Sequence, residues 1–224
     1  MIKYRIKFIK EGKAAYISHL DLMRTMHRVF IRAGVRVRHS EGFNPHPKMV
    51  FAMPLSVGAE SECELMDFEL DNETDTSVLP QKLTAVMPEG ITVTECYAAE
   101  EKFKEISWLH VYGRFEYDGG GAADKSAALK SFFDLPQIVI HRKTKRGAAD
   151  SDIKPSVREI AFEACDAYTV SVSAVIAAGD RPLNPELLVS ALEQLALELK
   201  PDFAKFRRIA MYKTDENGAL FEFK

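Results

Sequence analysis

The segment from Tyr16 to Gly58 contains four of the six histidines in the chain. Two of them, His19 and His46, could serve as general acid and base in RNA cleavage, because imidazole titrates near neutral pH. Histidines at a helix start or in a loop are also common structural hydrogen bonders, and no acidic residue is spaced to orient either ring. The sequence therefore predicts no catalytic residue, with His19 and His46 as the alternative.

The chain is expected to bind no metal and no cofactor. The histidines of this segment are separated by seven, eleven and six residues, and these spacings match none of the usual zinc patterns. They are His19, His27, His39 and His46. The cysteines are odd in number and far apart, which indicates buried free thiols rather than disulfides or an iron–sulfur cluster. They are Cys63, Cys96 and Cys165.

The same segment could also bind phosphate groups. A helix is predicted over 18–33, with Ser18 as N-cap, Asp21 returning the capping hydrogen bond and Gly34 ending it. Three arginines recur at every fourth residue, so their guanidinium groups lie along one side and favour a bound anion. They are Arg24, Arg28 and Arg32. Asp21 is a possible site residue of unknown role.

The residues after this helix predict a rigid loop over 39–48, because they include Gly42 and two prolines. A stiff loop presents its side chains at low entropic cost, and these side chains suit phosphate and base contacts. The predicted RNA-binding residues of the loop are His39, Phe43, Asn44, His46 and Lys48. The alternative is a simple connection whose prolines only set its path.

Charge is distributed unevenly along the chain. Residues 1–50 contain eleven Lys and Arg against three Asp and Glu, and residues 51–110 contain three against thirteen, giving +8 and −10. This asymmetry suggests a basic face for a polyanion and an acidic region for a protein partner. The alternative is that the two segments neutralise each other across adjacent strands. A further basic run near residue 143 adds Lys145 and Arg146 as predicted RNA contacts.

Hydrophobic periodicity gives the elements that must position these residues. Ile2 to Ile9 alternates as a half-buried strand with a basic outer face, and the helix that follows is expected to turn an apolar stripe to the core. That stripe comprises Leu20, Met23, Met26 or His27, Phe30 and Ala33. Residues 145–151 are expected to form a polar, mobile loop, and residues 185–198 a helix with an inward leucine face. The leucines of that face are Leu188, Leu192, Leu195 and Leu199.

The order of elements is βαββαβ over 1–105 and recurs over 106–224. This order predicts an α+β protein made of two tandem ferredoxin-like domains with antiparallel sheets, the first carrying the His/Arg-rich motif. The chain has no apolar run long enough to cross a bilayer or to serve as a signal peptide, which favours a cytoplasmic protein. Phe8, Phe51 and Phe68 could stack on bases, but phenylalanines on strands are usually core.

The chain resembles a bacterial family of unknown function, the radical SAM-linked (radical SAM-associated) proteins, in YISHLDLMRTMHRVFIRAG and in SEGFNPHPKMVFAMPLSVGAESECELMDFEL. In that family the domain occurs alone or attached to a cobalamin-binding radical SAM protein, so the resemblance implies an accessory role beside such an enzyme. The segment D-I-K-P resembles a recurring element of the family, which makes Asp152, Lys154 and Pro155 possible site residues without a role.

The sequence therefore predicts an RNA-binding accessory protein that presents tRNA or rRNA to a radical SAM modifying enzyme. Two other functions stay open. One is a metal-independent RNA-processing endonuclease that uses His19 and His46. The other is a protein-interaction adaptor without nucleic acid, favoured by the acidic segment 60–75.

Overall fold

A computed structural model describes residues 2–144, 147–179 and 181–224. The protein is α+β, as predicted, with antiparallel sheets and, within those residues, four α-helices. The chain divides into two compact units, one formed by residues 1–103 with Lys224 and the other by residues 104–223. None of the helices in the described residues is long and apolar enough to span a bilayer.

The first unit follows the order β1-α1-β2-β3-α2-β4. Its strands are β1 (Ile2–Lys10), β2 (Met49–Phe51), β3 (Glu60–Leu70) and β4 (Ile91–Ala98). Its helices are α1 (His19–Arg32) and α2 (Leu79–Thr84), with a 3-10 turn at Gly12–Tyr16. Antiparallel pairing gives the strand order β4-β1-β3-β2. Strands β1 and β3 therefore form the centre of this sheet.

One face of this sheet packs against α1 and α2. Tyr4, Ile6 and Phe8 of β1 point inward, as their alternation predicts, and lie against Phe68 of β3 and Phe30 of α1 in one buried cluster. The burial of Phe8 and Phe68 removes both as base-stacking residues.

Helix α1 presents part of the predicted stripe to this core, because Met26, Phe30 and Ala33 are buried as predicted. Leu20 is 58% exposed and Met23 38%, so their placement in the core was wrong. The residues that α1 buries are Leu22, Met26, Val29 and Phe30. Leu20 and Leu22 both fit a helical period of 3.6 with the apolar residues that follow them. Contact with the sheet buries Leu22 and leaves Leu20 exposed.

The outer face of β1 was predicted to be basic and half exposed, and this was wrong for Arg5, which is 0% exposed. Arg5 Nε donates to Asp67 Oδ1 at 2.6 Å and Nη2 donates to Oδ2 at 3.1 Å. The guanidinium also donates to the carbonyl oxygens of Lys224 and Glu101, both at 2.7 Å. Its carbon lies 4.2 Å from the centre of the Phe103 ring. Every side of this buried cation therefore contacts an acceptor or an aromatic face.

Further ion pairs join the basic segment 1–50 to the acidic segment 51–110. They are Lys3–Asp67 at 2.6 Å, Lys48–Glu69 at 3.1 Å, Lys7–Glu95 at 3.9 Å and Arg38–Asp71 at 3.9 Å. Strands β1 and β3 are direct neighbours, so much of the charge asymmetry is cancelled within the unit. This supports the neutralisation alternative for these residues.

The second unit contains the remaining elements. Its strands are β5 (Trp108–Glu116), β6 (Val139–Thr144), β7 (Gly147–Asp152), β8 (Val157–Ala164), β9 (Thr169–Ala177), β10 (Phe203–Thr214) and β11 (Leu220–Glu222). Its helices are α3 (Ala122–Phe133) and α4 (Glu186–Leu195), with 3-10 turns at Lys154–Ser156 and Leu197–Leu199. Antiparallel pairing gives the order β10-β5-β9-β8, with β11 beside β10 and β6-β7 as a separate hairpin.

Two expectations for this unit were wrong. Residues 145–151 were predicted to form a mobile loop, but the described part of this range, 147–151, lies in β7, which pairs with β6. Gln194 of α4 fixes the hairpin by bonding both backbone groups of His141, at 2.8 and 3.1 Å. Leu195 was predicted to face inward and is 52% exposed, because α4 ends there. The predicted inward residues Leu188 and Leu192 are buried.

Candidate nucleic-acid interface

The start of α1 is fixed by side chains from both sides. Ser18 accepts a hydrogen bond from the Asp21 backbone N–H at 3.2 Å, the N-cap that the sequence predicts, and its hydroxyl donates to Asp21 Oδ2 at 2.7 Å. Lys10, buried in β1, donates to the carbonyl oxygen of Ala15 at 3.0 Å. Its burial lowers the pKa of Lys10, and the Glu64 carboxylate opposes that effect. These contacts fix where α1 begins relative to the sheet.

The three arginines of the predicted stripe are exposed but differ in their partners. Arg24 donates to Asp21 Oδ1 at 3.0 Å. Hydrogen bonds from Ser18 and then from Arg24 hold the pKa of Asp21 below its ordinary value, so this carboxylate stays ionised and neutralises Arg24. Within the described residues, no carboxylate lies within ion-pair distance of Arg28 or Arg32. These two are therefore the available cations of the stripe.

Arg28 and Arg32 line a shallow depression of 210 Å³ between α1 and the turn after α2. Its other lining residues are Thr25, Val29, Val86, Met87 and Pro88. Arg36 is exposed just beyond the helix and was not among the predicted contacts. The sequence feature that could have indicated this contact is the position of Arg36, two residues after Gly34, where the helix ends. Two cations beside an open depression form a surface to which phosphate groups can bind.

The loop over 39–48 is held in shape by its own backbone, as its prolines predict. His39 pairs with Pro47 across the loop. Ser40 N–H donates to the His46 carbonyl oxygen at 2.8 Å, and the Ser40 hydroxyl lies 2.8 Å from His46 Nδ1. At the tip, Phe43 is fully exposed and Asn44 is exposed beside it. A fixed loop that holds a phenylalanine in solvent offers a stacking surface.

Lys48 differs from the other predicted contacts of the loop because a carboxylate already binds it. Its ammonium donates to Glu69 Oε2 of β3 at 3.1 Å, and both side chains are partly buried. Arg38, at the opposite end of the loop, lies 3.5 Å from Glu41. Carboxylates thus compensate both of these cations, and Lys48 contributes less free charge than the α1 arginines.

The four histidines of this segment each contact a neighbouring group. The described ring contacts join His27 to His39, with centroids 5.9 Å apart, and His19 to Phe51 at 5.3 Å, whereas none joins His19 to His46. His39 Nδ1 lies 3.1 Å from the Val37 carbonyl oxygen and must donate to it, which leaves Nε2 as the acceptor in a neutral ring. Each histidine therefore has a structural contact, and a catalytic role for His19 and His46 stays a prediction.

The cysteines were predicted to be buried, which is correct for Cys63 and wrong for Cys165, which is exposed. Cys96 is half-buried, and burial raises the pKa of its thiol to about 12. It is therefore protonated at neutral pH. Within the described ranges, no three His, Cys, Asp or Glu side chains converge as metal ligands do.

The remaining predicted residues belong to the second unit. Lys145 and Arg146 lie outside the described residues. Asp152 Oδ1 accepts from the backbone N–H groups of Ile138 and Lys154, both at 3.0 Å. Lys154 Nζ donates to the carbonyl oxygen of Phe133, the last residue of α3, and Pro155 lies in the 3-10 turn that follows. These contacts fasten the hairpin base to α3, and a binding role for the three residues stays a prediction.

Lys154→Met is expected to destabilise the second unit by about 1–3 kcal/mol, because the carbonyl groups at the end of α3 lose a charged donor. Urea denaturation followed by the fluorescence of Trp108 would measure this. Lys130→Met is the matched control, since Lys130 is in the last turn of the same helix but exposed. Equal stability of the two variants would contradict the capping role.

Comparison with known proteins identifies the family. The model of the family described as "Uncharacterized protein conserved in bacteria (DUF2344)" matches residues 3–185. The chain belongs to this family. A search of curated proteins finds no match. A solved structure described as "Crystal Structure of an Unknown Protein from Galdieria sulphuraria" aligns over 100% of this chain and 99% of its own, with 9% identity and a TM-score of 0.26.

Proposed function

We propose that this protein binds RNA through α1 and the loop over 39–48 and acts as an accessory to a modifying enzyme. The observation that carries the proposal is the pair of arginines on α1. Arg28 and Arg32 are exposed, lie one turn apart and have no carboxylate partner among the described residues, whereas most other cations of the same unit are paired. Two uncompensated guanidinium groups on one helix face favour a polyanion.

The exposed loop residues support RNA over other polyanions. Phe43 offers a ring for stacking, and Asn44 offers an amide donor and acceptor beside it. Unpaired bases in RNA loops and ends are recognised by aromatic stacking together with hydrogen bonds. A polyanion without bases would use the arginines alone.

The proposal takes both units as ferredoxin-like domains, with the β6-β7 hairpin as an insertion in the second. The strand orders β4-β1-β3-β2 and β10-β5-β9-β8, together with two helices in each unit, support this. Sheets of this kind recur in RNA-binding domains, although a shared fold does not by itself imply a function.

The accessory role takes tRNA or rRNA as the ligand and a cobalamin-binding radical SAM protein as the partner, following the resemblance described above. Exposed apolar side chains on α1 favour a protein partner as well. Leu20 is 58% and Ile31 64% exposed on the same helix as the arginines.

The experiment that separates an RNA-binding protein from an RNA-cleaving one uses RNA that co-purifies with the protein. Purified protein is incubated with that RNA for several hours, and the RNA is then analysed on a denaturing gel. We expect intact RNA, because among the described residues no carboxylate is hydrogen-bonded to the ring of His19 or His46 to orient it. Specific fragments that disappear in the His19→Ala variant would replace this proposal by the nuclease alternative.

The same RNA tests the loop. His46→Ala and Asn44→Ala are each expected to weaken binding by about 1–3 kcal/mol, because each removes a positioned hydrogen-bonding group. Fluorescence anisotropy with labelled RNA measures the change. Glu41→Ala, in the same loop, is the control and should not weaken binding. Unchanged affinity in both loop variants would limit recognition to α1.

A further inference from the structure

The second unit has a sheet face that none of its helices covers. On β5, Leu109, Val111 and Phe115 are buried, so the alternate residues must point to the opposite, outer face. These alternate residues are Trp108, His110, Tyr112, Arg114 and Glu116. The strand thus carries three aromatic or imidazole rings and one arginine in a row on its outer side.

Strand pairing places a cation beside the tyrosine of this row. Tyr112 lies directly opposite Arg207 of β10 and Ser173 of β9. Directly opposed residues share a face and lie about 5 Å apart at their Cβ atoms. Tyr112 is 39% exposed. A partly exposed ring therefore lies between an arginine and a hydroxyl.

The next row of the same face repeats the basic character. Arg114 lies opposite Lys205 of β10, and both side chains are exposed. The acidic side chains of this face include Glu116, beside Arg114 on β5 itself, and Glu159 and Glu163 on the edge strand β8. Three basic side chains, Arg114, Lys205 and Arg207, therefore lie together over β10 and β5, with Glu116 at the end of the β5 row and Arg158 of β8 over the Trp108 ring at its other end.

A cavity of 660 Å³ opens on this face at the other end of the ring row. His110 and Ser173 line it and hydrogen-bond across the two central strands, with Nε2 and Oγ 2.9 Å apart. Tyr212 and Glu159 complete its polar lining. Imidazole, hydroxyl and phenol groups in a recess of this size can bond to the edge of a nucleobase.

We propose that the outer face of the β10-β5-β9 sheet binds single-stranded RNA. One base stacks on Tyr112, the next enters the cavity beside His110, and Arg114, Lys205 and Arg207 contact the phosphates. The inference rests on the proposed function in taking RNA as the ligand. It adds a second binding surface that does not include α1. Base stacking on the central strands of an open sheet, with cations along the backbone path, is how sheets bind single strands without strict sequence preference.

The test uses Trp108, the one tryptophan of the chain, which lies in the same row as Tyr112. Full-length protein is titrated with decamers of uridylate and of adenylate while its fluorescence is followed. We expect saturable quenching with both, and a dissociation constant about 5- to 100-fold higher for Tyr112→Ala, the range for loss of one base stack. Tyr112→Phe should bind like the parent, because it keeps the ring.

Tyr168→Ala is the matched control, because Tyr168 is 58% exposed in the same unit but precedes β9 and is not in the ring row. It should leave both quenching and affinity unchanged. Absence of quenching, or equal affinity of Tyr112→Ala and the parent, would overturn the second surface. If affinity in that case still falls with Arg28→Gln and Arg32→Gln together, the proposed function stands and this inference alone fails. If the parent binds no RNA at all, both fail.

Discussion

Asp67→Ala is expected to destabilise the first unit by about 3–5 kcal/mol, more than any exposed substitution in that unit, because it leaves a buried guanidinium without its anion. Arg5 and Asp67 are 0% and 1% exposed and share two hydrogen bonds of 2.6 and 3.1 Å. Water cannot replace the missing carboxylate at this depth. Amide hydrogen exchange in β1 and β3 would report the destabilisation as strongly reduced protection.

The control for this prediction is Glu95→Ala. Glu95 pairs with Lys7 on the same sheet at 3.9 Å, but its side chain is 56% exposed. An exposed pair is worth about 0–1 kcal/mol, so protection should barely change. The double variant Arg5→Leu with Asp67→Leu should be less destabilised than the sum of its single changes, since the two charges are coupled. Simple additivity would contradict the coupling.

Arg28→Gln combined with Arg32→Gln is expected to weaken RNA binding by about 1.5–3 kcal/mol for each arginine that binds a phosphate in the parent protein. The effect should be similar for different RNA sequences, because phosphate contacts carry no sequence information. Folding should survive, since exposed substitutions usually change stability by about 0.5 kcal/mol or less. Fluorescence anisotropy with labelled tRNA measures the affinity, and thermal denaturation checks the fold.

Arg24→Gln is the control on the same helix. Arg24 already binds Asp21 at 3.0 Å, so its removal should weaken RNA binding less than removal of either neighbour. Equal effects for all three arginines would show that the stripe acts as a whole and that the Asp21 pair has no influence. Unchanged binding in the double variant would assign the α1 arginines a structural role only.

Local patterns predicted the elements well, whereas long-range contacts could not be read from the sequence. The alternation of Tyr4, Ile6 and Phe8 gave the inner face of β1, because a strand has a fixed period of two. The first residues of the buried face of α1 were misassigned, because Leu20 and Leu22 both continue into an apolar stripe of helical period. Only the position of the sheet distinguishes them.

In the candidate site, too, local contacts were predicted and long-range contacts were not. The capping of α1 by Ser18 depends on residues three apart and was predicted, whereas the burial of Arg5 depends on Asp67, 62 residues away. The pairing of Lys48 with Glu69, 21 residues away, could not be predicted for the same reason. The ring row of β5 was not predicted as a binding surface, because its importance depends on the cations that β10 places beside it.

The most direct test of RNA binding by α1 is the salt dependence of tRNA affinity, measured for the parent protein and for the Arg28→Gln, Arg32→Gln double variant. For the parent, the logarithm of the association constant should fall linearly with the logarithm of salt concentration. The slope for the double variant should be shallower by about 0.7–0.9 units for each of the two arginines replaced. No saturable binding by the parent at low salt, or identical slopes for the two proteins, would contradict the account.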